Sequence, residues 1–264
     1  MSYDLNVPVT AYETASTSQS KREKESNHDN QPSRPALIFS STASVPHSIS
    51  RPLLAPISVG YNVLAFNQTI SKKIDPKTRV NILDSLLSQL KARAGVVFLK
   101  RLTIILNEES EKGFGLTSIN ALAVESYDLL SLVLTTSTTC SLVRLAYSLP
   151  SPLTTDVISL PLTSPRLPFL LKHTLVQAAI KNGATGGLAF GVSDSGLNTK
   201  RNWWAAAQEV VRTTKGKGII VSGGALAEAD YRGPRDVQNL ISLLGLAQNL
   251  AHDASTATLK SLII

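Results

Sequence analysis

The amino-acid sequence predicts an α/β fold closed as a (β/α) barrel. Three observations carry this expectation. Short continuous apolar runs, the mark of parallel strands buried on both faces, recur about eight times along the chain. Segments with apolar residues at helical spacing separate most of them. The glycine-rich phosphate-binding first turn of an open doubly wound sheet is missing, which leaves that architecture as the alternative.

The elements follow in order. Tyr3-Asp4-Leu5-Asn6-Val7 reads as the first strand, stopped by Pro8. Residues 10–51 are rich in Ser, Thr, Asn and Pro and include the charged run Lys21-Arg22-Glu23-Lys24-Glu25. Such a stretch can bury little, and it reads as a disordered insertion dispensable for the fold. Asn62 to Phe66 is the second strand. Asp75-Pro76 then predicts a helix start, with Val80, Leu83, Leu87 and Leu90 on one face. Leu102 to Leu106, Tyr127 to Leu132 and Asp156 to Leu160 are the next three strands, with a helix expected from Ser137 to Tyr147.

A helix from Leu170 to Ile180 is closed by Asn182-Gly183. Thr185 to Phe190 reads as a glycine-rich strand. The next helix starts near Asn198, buries Trp203, Ala207, Val210 and Val211, and ends at Lys215-Gly216. Gly218 to Ser222 is a buried strand. Gly233-Pro234 opens a helix with Val237, Leu240, Ile241 and Leu244 at helical spacing, and Leu259 to Ile264 reads as a last strand. Residues 1–264 are thus expected to form one barrel domain interrupted at 10–51.

Bulk properties narrow the function. The net charge is +7 and the pI near 9.5, a balance that favours polyanionic partners. A single cysteine, Cys140, excludes an intrachain disulfide and fits a cytosolic or nuclear compartment. It reads as a buried structural thiol. No basic region followed by an apolar run opens the chain, and no stretch approaches the roughly 20 apolar residues of a membrane helix.

Catalytic chemistry is hard to find. The four histidines, His28, His47, His173 and His252, are scattered, and none stands in His-x-His or His-Glu-x-x-His spacing. Gly191 to Gly196 is one residue too long for a nucleophile elbow. Asp4 with Asn6 at the end of the first strand, and Asp156 at the start of the fifth, are the acidic candidates. Asp4 can be read as a metal ligand or base, or as a cap on a neighbouring loop, and capping is the commoner use. No catalytic residue, metal site or cofactor is expected.

The cations are more informative. Lys200, Arg201, Arg212, Lys215 and Lys217 cluster within one stretch. Arg212 and Lys215 suit the end of a helix, where cations complement the dipole. Lys200 and Arg201 near the start of that helix, and Arg232 and Arg235 around Gly233-Pro234, oppose it. A bound phosphate would explain them, because a helix start offers N–H groups and arginine adds charge-assisted bonds. Lys100-Arg101 is a further pair. These nine residues form the expected phosphate-contacting set, with Arg212, Lys215 and Lys217 near the two helix starts.

At these positions the sequence resembles a known family. Tyr231-Arg232-Gly233-Pro234-Arg235-Asp236-Val237-Gln238-Asn239-Leu240 is similar to the Arg-Gly-Pro-x-Asp-Val-x-Asn-Leu signature of the 30-kDa, TIM-barrel protein subunit of ribonuclease P and ribonuclease MRP. Lys200-Arg201-Asn202 and Arg212 to Ser222 resemble its Arg-Arg-Asn helix and the lead-in to its seventh strand. Tyr3 to Pro8, Gly60 to Ile70, Lys100 to Ile104, Tyr127 to Leu130, Asp156 to Leu160 and Leu167 to Lys172 match in order.

The resemblance implies a TIM-like barrel related to the PHP metal-dependent phosphoesterases, with Asp4-Leu5-Asn6 where those enzymes carry His-x-His. It implies a non-catalytic subunit whose partners are the catalytic RNA, precursor tRNA indirectly, a small α/β protein and other subunits of the complex, in the nucleus and nucleolus, with no membrane. A metal-dependent phosphoesterase is the alternative. The chain departs from the family in its first crossover, broken by Pro46, Pro52 and Pro56, and in Val133-Leu134-Thr135-Thr136, where the family carries Arg-Pro-Thr-Thr. It departs again in the glycines of the sixth strand and in stopping at Ile264.

Overall fold

The computed structural model describes residues 1–9, 55–71, 81–106, 121–142, 154–167, 180, 185–189, 197–225 and 230–263. Among these residues, seven strands form one parallel sheet in the order in which they occur: β1 (Tyr3–Pro8), β2 (Val63–Ile70), β3 (Val97–Leu106), β4 (Leu129–Leu134), β5 (Val157–Ser159), β6 (Thr185–Ala189) and β7 (Ile219–Ser222). Helices α1 (Ile82–Gln89), α2 (Ala121–Glu125), α3 (Ser137–Leu142), α4 (Leu197–Thr214) and α5 (Pro234–Leu243) lie between or after the strands. Two further helices, α6 (Gln248–Ser255) and α7 (Ala257–Lys260), follow α5.

Local sequence explains the boundaries. Asn81 caps α1 by accepting the Leu83 N–H at 3.1 Å. The helix start expected at Asp75-Pro76 lies outside the described residues. So do the insertion at 10–51, the helix from Leu170 up to Ile180, and the end of the helix beginning at Ser137. The described part of the β1–β2 connection holds a single helical turn at 55–58. Helix α4 stops where Lys215 and Gly216 take positive φ. The positive φ favours glycine at 216, and a Cβ there would also displace the Leu246 side chain.

The sheet curls. Tyr3, Leu5, Val63, Ala65, Leu129, Val157 and Ile220, from five different strands, meet in one cluster on its inner face. Two outer clusters line the other face. One joins Phe66, Leu102, Ile104 and Leu132 to Leu83 and Leu86 of α1. The other joins Ile219 and Val221 to Trp203, Ala207 and Val210 of α4 and Val237 and Ile241 of α5. Each fully buried Leu, Ile or Phe contributes about 1.5–3 kcal/mol of transfer free energy.

One expected strand is corrected. Residues 259–264 were read as extended, but helix α7 occupies Ala257–Lys260 and turns continue to Ile263. Leu259 is fully buried, and Leu262 and Ile263 pack with it against the inner cluster. Their spacing of i, i+3 and i+4 is helical, and it lets one short helix close the floor of the curled sheet.

Above that floor the inner face becomes polar. Arg101 on β3 is 2% exposed. Its guanidinium donates to the Leu5 carbonyl at 2.7 Å, to Ser131 Oγ at 2.8 Å and to Ser159 Oγ at 3.2 Å. One side chain therefore bonds β1, β4 and β5. Beside it, Thr103 donates to Asn67 Oδ1 at 2.7 Å, and Asn67 Nδ2 donates to Asn6 Oδ1 at 2.8 Å. A bulge between Asp4 and Val7 interrupts the register of β1 at this point.

Aspartates pin the amino ends of β4 and β5. Asp128 Oδ2 accepts the Lys100 N–H and Asp156 Oδ2 accepts the Leu130 N–H, both at 2.7 Å. Their own N–H groups return bonds to the carbonyls of Lys100 and Leu130. Asp156 is thus a register clamp at the end of the sheet opposite to the one where barrel enzymes carry their chemistry.

Two predictions follow from this packing. Arg101→Ala removes three hydrogen bonds and opens a void, so it should cost about 3 kcal/mol or more in urea denaturation, and Arg101→Met, which fills the space without a charge, should cost markedly less. Burial holds the Asp156 carboxyl above its ordinary range, with the Leu130 and Asp156 N–H groups opposing. The folded protein then keeps a proton that the unfolded chain has lost. Its contribution is present below the unfolded value of about 3.9 and disappears as pH rises through the raised folded value. Asp156→Asn should flatten the fall in thermal midpoint above about pH 4.

Candidate nucleic-acid interface

Strands β6 and β7 pair side by side and parallel, Gly187 opposite Ile220. The helices that follow them, α4 and α5, therefore both start on the side of the sheet reached by the carboxyl ends of the strands. Lys200 and Arg201 lie in the first turn or so of α4, and both are exposed. Asn202 Nδ2 donates to the Thr163 carbonyl at 3.3 Å and ties this turn to the segment after β5. The inward side chains of α4, Trp203 and Ala207, hold the helix on the outer core.

Arg232 and Arg235 flank the start of α5 and are exposed as well. Gly233 is the N-cap, without a side-chain capping bond, and Pro234 takes the first helical turn. Asp236 supplies one negative charge there. Among the described residues, none of Lys200, Arg201, Arg232 and Arg235 is held in an ion pair. In particular, neither arginine of the turn pairs with Asp230 or Asp236. Four exposed cations thus stand at two helix starts, where they oppose the dipoles and where an anion would be favoured.

The remaining expected contacts are placed elsewhere. Arg101 is buried within the sheet, as described above, and is removed from any outer phosphate-binding surface. Lys100 points its ammonium at Asp84 Oδ1 on α1, 3.1 Å away. Arg212 is bound twice by Glu209, at 3.0 and 2.8 Å. That pair is exposed and contributes little to stability, but it occupies the guanidinium. Arg212, Lys215 and Lys217 were expected beside the two helix starts. An α-helix rises 1.5 Å per residue, so Arg212 lies about 18 Å from Lys200 along α4, and Lys215 and Lys217 lie beyond it. These three belong to the opposite end of the sheet.

Asp4 turns out to be a cap. Its side chain is fully buried, and Oδ1 accepts the Asn6 N–H at 3.1 Å and the Gly223 N–H at 2.8 Å. Gly224 N donates to the Asn6 carbonyl at 2.9 Å, so β1 and the exit of β7 are joined twice. Burial raises the Asp4 carboxyl above its ordinary range, while the Gly223 and Asn6 N–H groups and the Arg101 charge pull it down. The Asp4 charge in turn helps burial to push the Tyr61 and Tyr231 hydroxyls above their usual range. Burial pulls Arg101 down to about 10, against the attraction of Asp4. Among the described residues no three of His, Cys, Asp or Glu converge to hold a metal ion.

Sequence reasoning missed Asn67, Thr103, Ser131 and Ser159, which complete the polar inner face with Arg101. The signal was present: each is a polar residue inside an otherwise apolar strand, and such residues usually find one another when buried. It also missed the connection from Asp4 to Gly223, which no local spacing encodes.

The sequence matches the protein family described as RNase P subunit p30 over residues 1–264. Over 197 residues it is 26% identical to the mouse ribonuclease P protein subunit p30, covering 72% of this chain and 70% of the mouse protein. Over 217 residues it is 24% identical to the ribonuclease P/MRP protein subunit RPP1 of Saccharomyces cerevisiae, covering 78% of this chain and 68% of the yeast protein. A 108-residue stretch, 41% of this chain, is 36% identical to protein GAMETOPHYTE DEFECTIVE 1 of Arabidopsis thaliana, of which it spans only 18%. With a match that runs from the first residue to the last, across the cationic helix starts and the Asp4 cap alike, the chain belongs to the ribonuclease P subunit p30 family.

Proposed function

We propose that the chain is a non-catalytic RNA-binding protein subunit of ribonuclease P, which removes 5′ leaders from precursor tRNA, and of ribonuclease MRP, which acts on precursor rRNA. The family match over the whole chain carries this reading, and the name of the yeast relative supports the MRP role. The RNA is the catalyst. The protein binds that RNA and assembles with a small α/β subunit and the other proteins of the complex, in the nucleus and nucleolus. Its curled parallel sheet with outer helices fits a single TIM-like barrel of PHP ancestry.

The chemistry of the chain supports a binding role over hydrolysis. At the place where a PHP phosphoesterase carries His-x-His, Asp4 and Asn6 are committed to hydrogen bonds within the fold. RNA contact is assigned to Lys200, Arg201, Arg232 and Arg235, whose charges are exposed and oppose the helix dipoles. Arginine suits a phosphate because its planar fork can make two bonds at once.

Two measurements test this. Arg232→Glu with Arg235→Glu, folded and with an unchanged thermal midpoint, should weaken binding of the RNA and flatten the log–log salt dependence by roughly 0.7 to 0.9 per lost contact. Unchanged affinity and slope would remove this surface from the RNA interface. The purified protein with added divalent metal should neither cleave precursor tRNA nor hydrolyse a phosphomonoester. Metal-dependent turnover abolished by Asp4→Ala would instead establish the phosphoesterase reading.

A further inference from the structure

We propose that the face of α4 carrying Leu197, Arg201 and Trp204 receives an unpaired RNA nucleotide: Trp204 stacks on the base while Arg201 and Lys200 hold the phosphates beside it. The proposal rests on the reading of Lys200 and Arg201 as RNA contacts. It adds what kind of RNA they meet, a strand with an open base rather than a closed duplex.

Helical periodicity brings these side chains together. Leu197, Arg201 and Trp204 stand at i, i+4 and i+7 of α4, neighbours along one stripe of the helix. Successive members of the stripe are about one turn apart, roughly 5 Å along the axis. Lys200 adjoins them at i+3. The opposite face is committed to the core through Trp203, Ala207 and Val210. Leu197 is 82% exposed. Lys200 and Arg201 are exposed too and, among the described residues, are held in no ion pair.

Trp204 differs from the tryptophan before it. Trp203 is buried, whereas Trp204 packs against the outer core and leaves part of its surface open to solvent. The two rings lie 6.4 Å apart between centroids and are tilted by 54°, so the buried ring supports the open one. Asn202 ties the same turn to the Thr163 carbonyl. The aromatic surface is thus held on a fixed element, which reduces the ordering cost of binding.

The composition of the stripe selects the occupant. A protein interface needs about 800 Å² on each partner and has few lysines at its centre. Two apolar side chains with cations between and beside them supply neither the area nor the composition. A nucleotide needs one flat apolar surface for its base and a cation within reach of its phosphate, and the stripe repeats that pair at the interval of a helical turn. Inside a duplex each base is already stacked on both faces, so the strand must be unpaired where it meets Trp204.

The test uses the full chain with three end-labelled probes of equal length: single-stranded oligoadenylate, a base-free ribose-phosphate chain and an RNA duplex. Oligoadenylate should quench the tryptophan emission of the parent protein, and the other two should not. Trp204→Phe keeps a stacking ring and should bind oligoadenylate nearly as well, but without quenching, because Trp203 is out of reach. Trp204→Leu should weaken oligoadenylate binding about five- to a hundredfold, the loss of one stacked base, with the log–log salt slope and the affinity for the base-free chain unchanged. Leu197→Ala, at a mostly exposed position, should give a smaller loss of the same kind, and it carries the test if Trp204→Leu does not fold. Lys200→Gln with Arg201→Gln should instead weaken both single-stranded probes and flatten the slope by roughly 0.7 per lost contact.

Unchanged oligoadenylate affinity in the folded Trp204→Leu and Leu197→Ala variants would overturn the stacking role, as would equal quenching by the base-free chain. If the Lys200 and Arg201 substitutions also leave every probe bound as before, the RNA reading of this helix start fails with it. If they alone weaken binding, the phosphate contact stands and only the base contact is lost.

Discussion

A parallel sheet has two edges whose backbone groups lack partners, and in this chain the curl brings those edges together. Asp4 and Asn6 on β1 meet the glycines that leave β7, through one side-chain bond and one backbone bond. Everything inside depends on that approach. It places Arg101 Nη1 within reach of the Leu5 carbonyl on β1 while Nη2 holds β4 and β5. Among the described residues, this guanidinium is bonded to a carbonyl and two hydroxyls and has no carboxylate in direct contact. The attraction of Asp4 and the three hydrogen bonds offset part of the cost of burying it.

The positions of the cations follow from the same architecture. Strand and helix alternate, so each helix carries its two ends to opposite ends of the sheet. Cations at the start of a helix and cations at its end are then separated, however close they are in sequence. Lys200 and Arg201 share a side with Arg232 and Arg235, whereas Arg212 and the Lys215–Gly218 turn close the other side. The latter cations have local explanations in the helix dipole and in Glu209.

Much of the architecture was legible in the sequence because buried parallel strands are written as apolar runs, and five of the seven observed strands coincide with runs centred on Leu64, Ile104, Leu130, Ile158 and Ile220, while the first was read from the short alternating stretch around Leu5. The glycine-rich β6 was also found, on weaker grounds. Two features were not legible. Residues 259–263 look like a strand because they are apolar, and only the inner floor of the sheet, a tertiary object, decides that they coil. Arg101 looks like a surface cation because arginine usually is one. Its burial depends on Ser131 and Ser159, which stand on two other strands and acquire meaning only once the sheet curls.

The bond from Gly223 to Asp4 joins residues 219 positions apart in the chain. Contacts this distant make a topology slow to fold, because loop-closure entropy is spent before any native contact returns it. During synthesis at roughly 5–20 residues per second, the first strand waits about 10 to 45 seconds for its last partner to be made. Throughout that interval Leu5 and Val7, fully buried in the finished protein, have one strand edge open beside them. A nascent chain of this kind is exposed to strand-edge aggregation and is a natural client for chaperones until the seam closes.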